Sequence, residues 1–141
     1  MTPAATIPDS HRDLLEGPVF AVLTTMMADN QPQSSVVWAD FDGEYLLVNT
    51  AKGRTKERNM AQRPKVSLLA LDTNHPYRWI EVRGEVIEIT DEGGVEHIDK
   101  LALMYTGQPG YYGHVAPAAQ REKETRVICK IKPTRVIAFG A

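Results

Sequence analysis

Cysteine and long apolar runs are what this chain has least of. Its 141 residues include one cysteine, Cys129, which excludes an intramolecular disulfide and a multi-cysteine metal site. Because Cys129 lies in a β-pattern, we expect it to be a small core residue. The longest apolar stretches, such as residues 66–71, fall far short of the roughly 20 residues that a membrane span needs. Residues 1–9 show neither a basic start nor an apolar segment, so we expect no signal peptide and a cytoplasmic protein.

Several catalytic signatures are also absent. The chain has no glycine-rich dinucleotide motif, no P-loop and no G-x-S-x-G nucleophile motif. No two acids stand out as a general acid and base, which argues against a hydrolase. The four histidines, His11, His75, His97 and His114, lack the spacing of metal ligands. We therefore expect no metal site.

The net charge is small, but the charges are unevenly distributed along the chain. The net charge is −2, yet residues 50–65 hold six bases and one acid, and residues 121–141 hold six bases and two acids. Two basic zones in an otherwise acidic chain indicate a local anion partner. The net acidity, and the lack of aromatic residues between the bases of the first zone, argue against nucleic-acid binding.

The apolar pattern predicts a mainly β protein with a few helices. Six strands are expected, over 19–25, 33–41, 44–49, 65–72, 78–90 and 125–139, and helices after Pro8, over 55–62 and over 91–105. Asp42-Gly43 fits a two-residue hairpin turn, and Gly84 within a strand predicts a bulge or a close backbone approach. Short connections favour antiparallel pairing. We expect one domain over 1–141, a small six-stranded antiparallel β-barrel, either closed or split, with a two-sheet sandwich as the alternative.

The segment 49–59 carries the most chemical information. It leaves a strand, turns at Gly53 and enters a helix at Thr55, so backbone N–H groups and the helix dipole favour an anion there. Arg54 and Lys56 add a guanidinium and an ammonium at the same end. The alternative is a solvated basic helix. The second basic zone lies along a strand and is interpreted as a solvated face, unless the face that Arg126 and Lys130 share lines a groove.

With this order of elements, the chain resembles the split β-barrel family that binds flavins and deazaflavins, the pyridoxamine 5′-phosphate oxidase-like group. Four stretches carry the resemblance: residues 20–33, residues 36–49, the basic R-x-K-x-R-N pattern within 51–60, and the W-x-x-x-x-G pattern of 79–86. The basic pattern is the most specific of them. The resemblance implies an FMN-binding split-barrel fold and a homodimer with its cofactors in the grooves between subunits.

The resemblance also implies which residues hold the cofactor. The ribityl phosphate would be bound by the loop and helix of 52–58, and the ring would lie along the strand 33–38 and beside 48–50. Tyr77 and Trp79 would contact the cofactor across the dimer groove. The implied cofactor-binding residues are Gln33, Ser35, Val36, Trp38, Val48, Asn49, Thr50, Lys52, Gly53, Arg54, Thr55, Lys56, Arg58, Asn59, Tyr77 and Trp79.

Two features point to one branch of the family. The chain lacks the Arg-Leu-x-Pro-like tail with which pyridoxamine phosphate oxidases bind substrate. Its length and basic helix are more similar to reductases that use the deazaflavin coenzyme F-420, whose polyglutamate tail would suit the extra bases. The resemblance therefore implies hydride transfer to a small planar conjugated acceptor, with solvent or a tyrosine of 105–112 as proton donor. The alternatives are an FMN-dependent oxidoreductase and a non-catalytic protein that holds a flavin, a deazaflavin or, through His75, His97 or His114, a haem.

Overall fold

A computed structural model describes residues 3–141, and the predicted domain over 1–141 adds only Met1 and Thr2, which lie outside the described residues. Seven strands form one sheet: β1 Phe20–Met26, β2 Pro32–Val37, β3 Ala39–Phe41, β4 Leu46–Ala51, β5 Lys65–Asp72, β6 His75–Thr90 and β7 Arg126–Phe139. The helices are α1 Thr55–Gln62 and α2 Gly94–Thr106, with 3₁₀ helices over Asp9–Leu15 and Ala118–Glu122. All pairings between the named strands are antiparallel. The mainly β, antiparallel prediction is confirmed.

The path of the chain around Trp38 shows that the sheet is curled. The strand order is β2-β1-β5-β6-β7-β4-β3, so β2 and β3 lie at opposite ends of it. Trp38 is nevertheless the only residue between them in sequence. The two ends of the sheet therefore meet at Trp38, and the sheet forms the half-barrel expected of a split β-barrel.

The predicted count of six strands was one too low, because the chain passes from one end of the sheet to the other at Trp38. Residues 33–41 were expected to form one strand, but they are divided between β2, which pairs with β1, and β3, which pairs with β4. A chain that crosses from one end of the sheet to the other must leave the first ladder before it joins the second. The break falls at Trp38.

The core lies inside the curl and follows the period-2 alternation of the strands. Ala21 and Leu23 of β1 are buried, as are Leu68 and Ala70 of β5. Cys129 is fully buried between Val127 and Ile131 on the same face of β7, which confirms the expected core role. Burial also raises the pKa of the Cys129 thiol to about 12, so this thiol is uncharged at neutral pH.

Two local predictions had different outcomes. The prediction of a two-residue turn at Asp42-Gly43 was wrong, because β3 ends at Phe41 and β4 begins at Leu46, which leaves four residues between them. The carboxylate of Asp42 accepts the backbone N–H groups of Glu44 and Tyr45, at 2.9 and 2.7 Å, and so closes the wider turn. The predicted close approach at Gly84 is confirmed.

Gly84 shows why the long strands β6 and β7 fit together. The register between them shifts after Arg83, and a Cβ atom on Gly84 would lie 2.6 Å from the backbone oxygen of Lys132. No side chain larger than hydrogen fits that approach.

The two α-helices begin where the sequence predicts, or close to it. Helix α1 spans the predicted residues 55–62, and α2 begins at Gly94 rather than at residue 91. Gly94 packs so closely on β7 that a Cβ atom there would overlap the backbone carbonyl of Arg126. None of the helices within residues 3–141 combines the length and apolar character needed to cross a membrane.

Candidate functional site

An open cavity of about 240 Å³ lies where β2, β4, α1, α2 and β7 approach one another. Its lining divides into a cationic part and an apolar part. The cationic part consists of Arg54, Lys56 and Arg126, and the polar residues Asn49 and Thr50 lie beside it. The apolar and aromatic part is formed by Val36, Val37, Trp38, Ile98, Tyr111 and Val115.

Arg126 is the most firmly held of the three cations. Its Nε donates a hydrogen bond to Oδ1 of Asn49 at 2.8 Å, and its Nη1 donates to Oε2 of Glu124 at 3.0 Å. The guanidinium carbon lies 5.1 Å from the centre of the Tyr111 ring. Arg126 is only 5% exposed, and its Nη2 makes no hydrogen bond to any residue of 3–141. A buried guanidinium with an unused donor on the cavity wall is arranged to bind an anion.

Glu124 links two residues of the cationic part, Arg54 and Arg126, by hydrogen bonds. It accepts hydrogen bonds from Tyr112 at 2.7 Å, from Gln120 at 3.1 Å and from Arg54 at 3.3 Å, in addition to the one from Arg126. Burial opposes its charge, but these hydrogen bonds and the Arg126 charge lower the pKa of Glu124 to about 2. Glu124 is therefore ionised at neutral pH, and its acceptor capacity is already used within the protein.

Lys56 has no such partner. Its ammonium forms no hydrogen bond or ion pair within the described part of the chain, although the side chain is half-buried. Burial, together with repulsion from Arg54 and Arg126, lowers the pKa of Lys56. An unpaired ammonium beside two guanidinium groups is unfavourable until an anion joins them.

The first turn of α1 differs in one respect from the predicted anion site. The carboxylate of Glu57 reaches back to the backbone N–H of Gly53, at 2.8 Å, in the manner of a capping box. Glu57 is buried, so a negative charge of the protein itself already lies at this turn. The side chains of Arg54 and Lys56 thus contribute more to the cavity than the helix terminus does.

The apolar part of the cavity is built on stacked aromatic rings. Trp38 stacks on Tyr105 with ring centres 5.5 Å apart, and Tyr111 meets Trp38 edge-on at 6.1 Å. The Tyr105 hydroxyl accepts the N–H of Ala39 at 3.0 Å and donates to the carbonyl of Ala39 at 2.9 Å. These contacts fix Trp38 at the junction of the two sheet ends, where it also lines a second cavity of about 280 Å³ with Phe20.

Thr50 carries the clearest sign of a missing polar partner. Its side chain is 1% exposed and lines the first cavity. Its hydroxyl oxygen is buried without a hydrogen-bond partner among residues 3–141. Since buried hydroxyl groups are nearly always bonded, this hydroxyl is a candidate for a hydrogen bond with a water or a ligand in the cavity.

Six of the sixteen predicted cofactor-binding residues line this cavity together. They are Val36, Trp38, Asn49, Thr50, Arg54 and Lys56. Of the others on the same loop and helix, Gly53, Thr55 and Arg58 lie outside the cavity lining, and Lys52 lines a separate cavity beside Glu57.

Four further predicted residues lie on β2, β4 and α1. Val48 is fully buried in the core. Asn59 donates to Thr25 Oγ1 at 3.0 Å and so ties α1 to β1, and Gln33 accepts a hydrogen bond from the same Thr25 hydroxyl at 3.3 Å. The hydroxyl of Ser35 on β2 is buried without a partner among residues 3–141. None of these four side chains lines the cavity.

Tyr77 and Trp79 lie apart from the cavity of their own chain. Tyr77 is 77% exposed, and Trp79 stacks on Phe139 with ring centres 5.7 Å apart. Arg78 between them donates to Asp13 and Asp72 and so ties β6 to the first 3₁₀ helix. Contact of Tyr77 and Trp79 with a cofactor across a dimer groove stays a prediction.

Arg126 is the functional candidate that sequence reasoning underrated. The second basic zone was read as a solvated strand face, and the structure corrects this for Arg126, which α2 and the segment after it cover. The other missed lining residues, Val37, Ile98, Tyr111 and Val115, show no local signal beyond apolar character. The pairing of Ala51 with Arg126 brings the two basic zones together, and no sequence spacing encodes that pairing.

The histidines lie outside the lining of the first cavity. No three His, Cys, Asp or Glu side chains there are grouped to hold a metal ion. His75 and His114 are exposed and do not line the cavity. His97 is buried, and both of its ring nitrogens are hydrogen-bonded, to Asn49 and Asp40, so neither is free for an axial iron bond.

Comparisons with known proteins agree with this fold. A model of the pyridoxamine 5′-phosphate oxidase family matches residues 7–140. A solved structure described as an F-420 reductase is 32% identical, with a TM-score of 0.79 over 93% of this chain and 98% of that chain. A conserved hypothetical protein of Mycobacterium tuberculosis is 22% identical, with a TM-score of 0.72 over 96% and 86% of the two chains. General stress protein 26 of Bacillus anthracis is 19% identical, with a TM-score of 0.64 over 91% and 89%. The last two show the fold alone, and no curated protein sequence matches the chain.

Proposed function

This chain belongs to the pyridoxamine 5′-phosphate oxidase family, and we propose that it is an oxidoreductase whose cofactor is the deazaflavin coenzyme F-420. The observation that carries the proposal is the cavity wall, where three cations face one open space. Two of them, Lys56 and Arg126, keep donors unused within the described chain. A phosphate dianion supplies the charge and the acceptors that these groups lack.

The residues present fit a phosphate-bearing flavin or deazaflavin. Arg54, Lys56 and Arg126 would hold the phosphate, and the unpaired Thr50 hydroxyl would bond a polar atom of the ligand. The apolar part of the cavity, with Trp38 as its largest member, offers an apolar surface for a planar ring. Such a cofactor supplies the hydride chemistry, while the chain binds and orients it.

Two observations favour coenzyme F-420 over FMN as the cofactor. Lys52 and Arg58 are exposed and have no ion-pair partner among residues 3–141, so they are free to meet a polyglutamate tail. The 32% identical protein is described as an F-420 reductase. FMN remains the second candidate, because it carries the same ribityl phosphate.

The shape of the cavity favours a homodimer. A volume of about 240 Å³ lies below the range of roughly 300–1,000 Å³ usual for cofactor sites, and the cavity is open to solvent. Val36 and Phe20 beside it are 70% and 59% exposed, which is unusual for large apolar side chains in a cluster. A second copy of the chain would cover these residues and complete the groove, with its Tyr77 and Trp79 at the rim.

The linings of the two cavities suggest an acceptor and a proton donor. The second cavity carries no charged residue, so a small, planar, conjugated acceptor suits it better than a charged one. Of the three tyrosines near the site, Tyr105 and Tyr112 have bonded hydroxyl groups. Tyr111 lines the cavity and its hydroxyl makes no hydrogen bond within residues 3–141. We infer that Tyr111 is the tyrosine available to donate a proton; solvent is the alternative.

Binding spectroscopy tests the proposal. Purified protein is titrated with coenzyme F-420, FMN and riboflavin, and fluorescence is followed. We expect F-420 to bind most tightly and riboflavin, which has no phosphate, most weakly. Dissociation constants above about 100 μM for both F-420 and FMN would refute the proposal, since charge-assisted phosphate contacts should exceed that affinity. Tight binding without turnover of any quinone or enone by the reduced cofactor would instead indicate a non-catalytic binding protein.

A further inference from the structure

A row of buried polar groups connects α2 with the cavity wall. The ammonium of Lys100 donates to Oδ2 of Asp40 at 2.9 Å, and Nε2 of His97 lies 3.1 Å from the same oxygen. On the other side of the imidazole ring, Nδ1 lies 3.2 Å from Nδ2 of Asn49. The side chains of Asp40 and His97 are 4% and 7% exposed, so water does not compete for the bond between them, whereas the Lys100 side chain is exposed.

The row ends at Arg126. The Oδ1 atom of Asn49 accepts the Nε–H of Arg126 at 2.8 Å, and its Nδ2 also donates to the carbonyl of Gly94 at 2.8 Å. The amide group of Asn49 is therefore bonded to three groups of the protein, and one of them is Arg126.

The direction of each hydrogen bond follows from Asp40. The carboxylate is ionised, because hydrogen bonds from His97 and Lys100 outweigh the effect of burial and lower the pKa of Asp40 to about 2. It can therefore only accept, and His97 must carry its proton on Nε2. The Nδ1 atom is then free to accept an N–H of Asn49, which leaves the amide oxygen facing Arg126.

We propose that His97, in its neutral Nε2–H form, is a positioning residue that orients Asn49 and thereby fixes Arg126 in the anion site. The inference rests on the proposed function, because Arg126 is there one of the groups that bind the cofactor phosphate. A proton on Nδ1 would place two donors, the imidazole N–H and the amide NH₂, against each other. A half-turn of the Asn49 amide would relieve that clash, but it would set the NH₂ group against the Arg126 Nε–H.

The matched pair of variants is His97→Leu and His97→Gln. Leucine keeps much of the volume but has no polar atom, so it removes one of the three hydrogen bonds that orient the Asn49 amide. Glutamine can donate to Asp40 through Nε2 and accept from Asn49 through Oε1, and so preserves both bonds. We expect His97→Leu to weaken FMN binding about tenfold, the effect of one poorly placed charge-assisted contact. Riboflavin affinity should stay unchanged, and His97→Gln should recover most of the FMN affinity.

Nuclear magnetic resonance provides a measurement that needs no cofactor and no variant. The imidazole ¹⁵N shifts of the wild-type protein at neutral pH should show protonation at Nε2 of His97, and the Arg126 Nε–H signal should shift when inorganic phosphate is added. Observation of the Nδ1–H form would overturn the inference, as would equal losses of FMN and riboflavin affinity in His97→Leu. Failure of both F-420 and FMN to bind would refute the proposed function, while the tautomer and the phosphate response would still decide the role of His97.

Discussion

The substitution Lys56→Met should change the stability of this protein and its affinity for a ligand in opposite directions. Lys56 is half-buried beside Arg54 and Arg126 and has no partner among residues 3–141. Methionine keeps the length and apolar stem of the side chain and removes the charge. We expect the free variant to be more stable than the wild type and to bind a phosphate-bearing cofactor more weakly.

The magnitudes follow from the exposure of the group. Repulsion between partly solvated charges is worth about 0.5 kcal/mol, which for a chain of this size raises Tm by roughly 1–2 °C. Loss of one charge-assisted contact with phosphate costs about 1.5–3 kcal/mol, or roughly 10- to 150-fold in affinity. Because folding lowers the pKa of Lys56 below its ordinary value of 10.5, the charged group destabilises the fold at neutral pH, and this effect fades as pH rises towards 10.5. The stability difference between variant and wild type should therefore shrink as pH rises towards 10.5 and change no further above it.

Thermal unfolding at low salt and fluorescence titration with F-420 and FMN measure the two effects. Lys123→Met is the matched control, because Lys123 is exposed and lies outside the cavity lining. Inorganic phosphate should raise the Tm of the wild type and of Lys123→Met, and should raise that of Lys56→Met much less. A variant that binds FMN as tightly as the wild type, or that is less stable than Lys123→Met, would refute this account of the cationic part of the cavity.

Two further substitutions examine how the fold supports the site. Gly94→Ala should destabilise the protein by about 2–4 kcal/mol, measured by urea unfolding, because the added Cβ overlaps the backbone carbonyl of Arg126 and neither backbone segment can move freely. A cost below that of an ordinary surface substitution would show that α2 does not pack on β7 in this way. For Asp40, whose pKa is lowered to about 2, the stabilising contribution is present above about pH 4 and is lost as pH falls towards 2, a change of roughly 2 kcal/mol. Asp40→Asn should therefore unfold with a flatter dependence on pH between 4 and 2 than the exposed control Asp91→Asn, and identical slopes would contradict it.

Local sequence patterns predicted most of the strands and helices. The alternation of apolar residues predicted β5 with its observed bounds, and the strand, Gly53 and basic helix sequence predicted α1. The break at Trp38 was not predictable in this way, because the apolar character of 36–38 continues across it. Only the closure of the sheet, which brings β2 and β3 to opposite ends of the strand order, requires the chain to change ladders there.

The candidate site shows the same division between local and distant information. Arg54 and Lys56 were predictable because they lie at one strand-to-helix junction. Arg126 was not, because its burial depends on the pairing of β4 with β7 and on the cover that α2 provides. A base on a strand reads as solvated unless the element that covers it is known.

The charge of the cavity links the folded state to the ligand. Glu124 is already shared among Arg54, Arg126 and two uncharged donors, so the charge of Lys56 is left without compensation. A phosphate monoester brings about −1.5 to −2 charges at neutral pH, which is close to what the three cations and one carboxylate lack. Binding at a hundredfold excess over Kd would add about 2.7 kcal/mol to the free energy of unfolding. The contacts of Arg126 with Asn49, Glu124 and Tyr111 are present without a ligand. Folding therefore already orders the Arg126 guanidinium, and ligand binding loses no side-chain entropy in ordering it.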